Sequence, residues 1–137
     1  MKEEVIRYRR ERARETLEEA EIMLDNKKLF AAVNRIYYVI FYEVLALLLT
    51  KGLSSSKHSG VRSLFNKEFV KSGIISEEHG DFYNKISGFR QRGDYEDFVE
   101  FNIEEVKRWF DKAKDFINSV EQVIQKVVRD EKLNRDT

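Results

Sequence analysis

The sequence predicts an all-α fold, an antiparallel up-and-down bundle of four to five helices, on three observations. The 137 residues contain no proline, and charged residues make up 36% of them, so nothing forbids long helix interiors. Apolar residues recur at spacings of three and four along most of the chain, which gathers them on single helix faces. The segments between these periodic runs are short and carry Gly, Ser or Asn, the residues that start and stop helices. With 42% hydrophobic residues, ten Phe and six Tyr, the chain can fill one core. A single domain over residues 1–137 is expected, its core at about 10–128 and a polar tail over 129–137.

The first helix is expected from about Glu3 to Asp25, with Ile6, Ala13, Leu17, Ala20 and Leu24 on its buried stripe. The second, about Lys28 to Lys51, confines its charges to one narrow sector made by Lys28, Ala32, Arg35, Val39, Glu43, Ala46 and Thr50. The rest of its surface is bulky and apolar, so neighbours must surround it and it is the centre of the bundle. "KGLSSS" ends it, Gly52 supplying a C-terminal cap and the serines an N-cap for the next helix. A short third helix, roughly Lys57 to Lys71, turns Val61, Leu64, Phe65 and Phe69 inward and closes at Gly73. Ser76 before Glu77 and Glu78 starts the fourth, because acidic side chains favour the positive end of a helix dipole. The fourth helix carries two stripes, an apolar one of Phe82, Ile86 and Phe89 and a polar one of Tyr83, Ser87, Arg90 and Asp94. Asn102 with Glu105 opens the fifth helix like a capping box, and Val106, Phe110, Ala113, Ile117, Val120, Ile124 and Val127 form its seam. That seam, flanked by Trp109, Phe116 and Val123, is wider than one partner helix needs, and "RDEKLNRDT" is expected to fray beyond it.

Composition narrows the chemistry. Lys and Arg number 25, as do Asp and Glu, so the formal net charge is zero; an anion site must then be a local patch rather than a global field. No cysteine and only two histidines, His58 and His79, leave no thiolate or histidine-rich metal site, and no metal or cofactor is called for. The longest apolar stretch, inside Leu29 to Leu49, is interrupted by Asn34, Arg35 and Glu43. No membrane association and a cytoplasmic location are therefore the expectation.

The stretch "ISGFRQRGDYEDF", Ile86 to Phe98, combines two arginines, two glycines, two aspartates and a tyrosine after an apolar run. A helix that only had to pack would not carry two glycines, each costing about 1 kcal/mol against alanine. Asn34 lies on the second helix away from the charged sector and one turn before Tyr37 and Tyr38. It is expected to be largely buried, and an unpaired buried amide costs about 1 to 3 kcal/mol. Arg90 on the polar stripe is its expected partner. Two readings stay open: a buried network that fixes helix register, or an anion or ribose site beside Arg90. The run "RYRRERAR" holds five arginines from Arg7 to Arg14; Arg9, Arg10 and Arg12 are phosphate-binding candidates, the alternative being a solvated face with Arg7–Glu11 and Arg14–Glu18 pairs.

"FAAVNRIYYVIFYEVLALLLTKGLSSSKHSGVRSLFNKEFVKSGIIS" followed by "FRQRGDY" resembles the HEPN domain, in the branch encoded beside a minimal nucleotidyltransferase. The resemblance covers about Arg10 to Val127 through the Asn34, Tyr37 and Tyr38 spacing, "KHSG", the Phe65 and Phe69 region and the Arg90 to Tyr95 motif. It implies a homodimeric helical bundle with the arginine motifs of both protomers near one cleft. Many members are metal-independent endoribonucleases whose motif is Arg, four to six residues, then His; the histidine moves a proton and the arginine stabilises phosphate charge. Here the positions after Arg90 are Tyr95, Glu96 and Asp97, those after Arg92 are Asp97 to Val99, and no histidine follows His79. Asp94 and Tyr95 occupy the place instead, and an aspartate near its usual pKa of about 3.9 is a poor base at neutral pH. The resemblance thus implies a nucleotide/RNA-binding or partner-binding component of a toxin–antitoxin type pair with a minimal nucleotidyltransferase. Its cleft would use Asn34, Tyr37, Tyr38, Arg92 and His58, with His58 recruited across a dimer interface and Tyr95 offering a hydroxyl for modification. The alternatives are an endoribonuclease toxin using Arg90, Asp94 and Tyr95 as catalytic residues, and a purely structural interaction module.

Overall fold

A computed structural model describes residues 1–136 as five helices in sequence: α1 Lys2–Asp25, α2 Leu29–Thr50, α3 His58–Phe65, α4 Glu77–Tyr95 and α5 Ile103–Asp136. No strand occurs among the described residues. α2 is the hub, touching every other helix, because apolar side chains surround it: Val33, Ile36, Tyr37, Ile40, Val44, Leu47 and Leu48 are all buried. By length and apolarity α2 is also the one described helix that could cross a membrane, yet 67% of its apolar window is buried within the bundle. α5 lays Val106, Ala113, Phe116, Val120 and Ile124 against the core. Caps place the last two helices: Ser76 Oγ accepts from the His79 amide at 3.3 Å, and Asn102 Oδ1 accepts from Glu104 and Glu105 amides at 2.8 and 3.2 Å.

Four features depart from the sequence expectation. The charged sector of α2 is buried: Ala32, Val39, Glu43, Ala46 and Thr50 all lie inside. Its small residues let α1 approach closely, and Glu43 sheds its charge. Burial first, and then the adjacent Glu121, push the Glu43 carboxyl up to about 10, so it is an acid rather than a carboxylate at neutral pH. Arg10 clamps Glu121 from α1 through Nε at 3.0 and 3.1 Å and Nη2 at 2.6 Å, closing a three-helix junction. The less covered face of α2 is instead the row Arg35, Tyr38, Tyr42, Leu45 and Leu49, all half-buried.

The third helix stops at Phe65 and continues as a π turn, Asn66–Val70, which keeps Phe69 in the core beside Phe65 at 6.4 Å between centroids. No serine side chain caps α3; Ser55 Oγ accepts from the Lys57 amide at 3.3 Å. Finally, the polar tail does not fray at 129: α5 runs through Asp136, with Arg135 paired to Glu3 at 3.1 Å and Glu131 to Lys2 at 3.7 Å. Thr137 of that tail lies outside the described residues.

A candidate anion-binding cleft

The cleft forms where α2, α3 and α4 meet, and glycines decide how closely their ends approach. A Cβ on Gly60 would stand 2.1 Å from Ser55 Oγ, so only glycine lets the 53–57 loop fold onto the first turn of α3 and seat His58. On α4, a Cβ at Gly93 would stand 2.9 Å from the Phe101 ring. The glycine therefore lets the chain after Tyr95 turn back, with Phe101 against Phe30 and Trp109 at 5.1 and 6.0 Å. Phe98, at the tip of that loop, is fully exposed at a φ of 63°. Gly88 faces open space, and nothing in the structure explains it.

The walls of this opening, about 440 Å³, include Tyr37, Tyr38, His58, Arg90 and Tyr95. Ser59, Arg62, Ser87 and Gln91 complete it. His58 is held on three sides. Its ring stacks on Phe41 at 4.1 Å and 23°, lies edge-on to Tyr38 at 5.8 Å, and Nδ1 meets the Tyr37 hydroxyl at 2.8 Å. Burial, then the charge of Arg90, hold the imidazole below its usual pKa, so it is neutral near pH 7. Burial also raises the Tyr37 pKa against the opposing pull of Arg90, so the hydroxyl keeps its proton. Pointing that proton at Nδ1 turns the oxygen's lone pairs toward the nearby guanidinium. The resulting tautomer carries its own N–H on Nε2.

Arg90 is packed rather than free. Its guanidinium lies 4.4 Å from the Tyr37 ring centroid and 3.5 Å from the Asp94 carboxylate, while its Nε is buried without an acceptor. Arg62, one turn beyond His58, has no ion pair and no side-chain hydrogen bond among the described residues. The cleft thus presents one engaged guanidinium, one unengaged guanidinium and a neutral imidazole, with aromatic rings around them.

Of the residues singled out by sequence, Tyr37, Tyr38, His58, Arg90 and Tyr95 converge here within one protomer. Asn34 does not meet Arg90. It is half-buried and donates to Asp94 Oδ2 at 3.3 Å, its own oxygen accepting from Arg35 at 2.8 Å. Asp94 therefore bridges Asn34 and Arg90, beside the cleft rather than lining it. Arg92 points elsewhere, over the Phe89 ring at 5.4 Å. On α1, neither the Arg7–Glu11 nor the Arg14–Glu18 pair forms among the described residues; Arg14 takes a longer-range partner and Arg7 takes none. Arg10 and Arg14 both reach Glu121, Arg9 donates to the Leu45 carbonyl at 3.4 Å, and Arg12 donates to the Tyr42 hydroxyl at 3.3 Å. Arg62 was missed by sequence reading, although its spacing of four from His58 places both on one helix face. A second hollow of about 340 Å³ lies between α4 and α5, but Glu77, Glu78, Asp81 and Asp115 outnumber Lys85 and Lys112 there. An anion gains nothing in it.

The fold and the cleft define a class, a compact all-helical bundle whose arginine-bearing cleft joins guanidinium, imidazole and tyrosine groups. The HEPN domain model matches residues 6–127, and the chain belongs to the HEPN domain family. It is 52% identical over 128 residues to a "UPF0332 protein" of Thermotoga maritima, covering 93% of this chain and 97% of that protein. Two proteins of Methanocaldococcus jannaschii are also similar. "Putative toxin MJ0142" is 36% identical across 87% of this chain and 85% of its own length, and "Putative toxin MJ0605" is 37% identical across 79% and 85%.

Proposed function

We propose that the protein binds RNA or nucleotide phosphate in this cleft as one member of a toxin–antitoxin type pair, its partner a minimal nucleotidyltransferase. The observation that carries the binding is Arg62: a guanidinium with no partner among the described residues, lining a cleft beside His58 and Arg90. The names of the two M. jannaschii relatives support the toxin–antitoxin setting. Beyond the cleft, Tyr38 adjoins Tyr42 at 5.9 Å and Arg12 lies over Tyr42 at 5.1 Å. Arg9, Arg10 and Arg12 are engaged with the Leu45 carbonyl, Glu121 and the Tyr42 hydroxyl, so the phosphate contacts of this proposal stay within the cleft. The half-exposed row of α2 would pair two protomers and bring their clefts together.

Arg62→Gln is the decisive variant. Charge-assisted hydrogen bonds contribute about 1.5 to 3 kcal/mol, so affinity for a short RNA should fall at least tenfold while thermal stability stays within about 0.5 kcal/mol. Undiminished RNA binding by a folded variant would remove the cleft from the proposal.

A second reading, metal-independent RNA cleavage, is favoured by one observation: His58 stands against the same cleft as Arg90. The proton-moving residue would then be His58 rather than Asp94, which is tied to Asn34 and Arg90. Cleavage of RNA in the presence of a chelator, lost in His58→Gln, would establish it.

A further inference from the structure

The charge of the ligand follows from the groups in the cleft, granted the phosphate-binding reading proposed for it, on which this step rests. We infer that the cleft selects a terminal phosphate, a monoester at the end of an RNA strand, over the internal phosphodiesters of the same strand.

The selection is a balance of charge. Arg90 is offset by Asp94 at 3.5 Å, Arg62 has no counter-ion among the described residues, and His58 is neutral at rest. The arrangement therefore carries the equivalent of one uncompensated positive charge. An internal phosphodiester is a monoanion and is matched by Arg62 alone. A phosphate monoester carries about −1.5 to −2 at pH 7. It calls for a second positive charge, which His58 supplies by taking a proton on Nδ1.

The geometry allows that uptake without moving the ring. Nδ1 faces the Tyr37 hydroxyl at 2.8 Å, and the hydroxyl can turn from donor to acceptor as the imidazole becomes an imidazolium. The stack on Phe41 at 4.1 Å stays in place, and Nε2–H remains available to the anion. The groups around His58 are Tyr37 and Tyr38 from α2, Arg62 on α3, and Arg90 with Asp94 behind it on α4. Of these, Arg90 acts on its charge, and it acts against protonation. A dianion between the arginines reverses that field.

Isothermal titration of the full chain with three octauridylates of one sequence tests the inference. One bears a 5′-phosphate, one a 3′-phosphate and one only hydroxyl ends, each measured at pH 7 in two buffers of different ionisation heat. At least one phosphorylated end should bind tenfold or more tighter than the hydroxyl-ended strand, with net proton uptake, and which end does so identifies the source of the monoester. His58→Gln, checked for helix content by circular dichroism, should cut the preference to less than about threefold and abolish uptake. In the wild type the preference should also decline from pH 7 to pH 9, where His58 can no longer hold the proton. Equal affinity for all three strands that is lost in Arg62→Gln overturns this inference and leaves phosphate binding intact. A preference that persists in folded His58→Gln overturns it as well. Binding of none of the strands removes both.

Discussion

Glu43 carries its proton where an unfolded chain would not. In the bundle its pKa is about 10, raised first by burial and then by Glu121, against about 4.3 for an unfolded glutamate. Between those values the folded state holds the extra proton, so this group takes stability away as pH rises through the window. Glu121 works in the opposite sense. Its own burial is outweighed by the hydrogen bonds of Glu43 and Arg10, which hold it below its usual range, so its contribution is present near neutrality and is lost on acidification. Glu43→Gln keeps the shape and a donor for Glu121 but removes the titration. Thermal melts should show variant and wild type close at pH 5, with the variant pulling ahead by several kcal/mol as pH rises to 8.5, at about 1.4 kcal/mol per pH unit. A difference that stays flat with pH would mean that Glu43 is already ionised in the core.

Gly93 and Gly88 divide α4 into a tight end and a loose middle, which single methyl groups can separate. Gly93→Ala drives a Cβ to 2.9 Å from the Phe101 ring, and overpacking of this kind costs about 1 to 3 kcal/mol. Because Phe101 lies edge-on to Trp109, the one tryptophan, its emission should shift as well. Gly88→Ala meets open space on an exposed helix face and should stabilise by up to about 1 kcal/mol. The helices themselves were legible because each is written in local periodicity: Phe82 and Ile86 are buried as their spacing demands, and Ser76 and Asn102 cap where they stand. The orientation of α2 was not. Its charged sector looked like a solvent face, and only Glu121, 111 residues from Arg10, allows Glu43 to be buried there. The same limit hid the partner of Asn34. A polar stripe narrows the choice to one helix face, but whether an amide meets Arg90 or Asp94 depends on about one turn of register between helices remote in sequence.

Across the whole molecule, the half-buried row Arg35, Tyr38, Tyr42, Leu45 and Leu49 leaves α2, otherwise enclosed, less covered along one line. Arg35 and Arg12 border it, each over a tyrosine ring at 5.2 and 5.1 Å. Aromatic and aliphatic side chains rimmed by arginine are the composition of protein–protein contacts. Light scattering at micromolar concentration should therefore give twice the 16.3 kDa of one chain, and Leu45→Arg, placed in the row away from the cleft, should shift it toward one. A clean monomer for the wild type would leave the row as ordinary surface and each cleft to a single protomer.

The clamp between Arg10 and Glu121 also sets an order in time. α1 and α2 are complete by Thr50 and can pair as a hairpin while the chain is still being made, their small-residue faces together. Glu121 follows roughly seventy residues later, a wait of about 4 to 14 s at the usual 5–20 residues per second of synthesis. α3 and α4 are made within that interval and can join α2, but the face of α2 that α5 covers stays open, and Glu43 has no Glu121 beside it. Until α5 emerges the growing chain therefore leaves an apolar strip of α2 uncovered with an ionisable group in it, the stage at which a chaperone would matter most. Docking of α5 seals the core and completes the burial beside Glu121 that keeps Glu43 protonated.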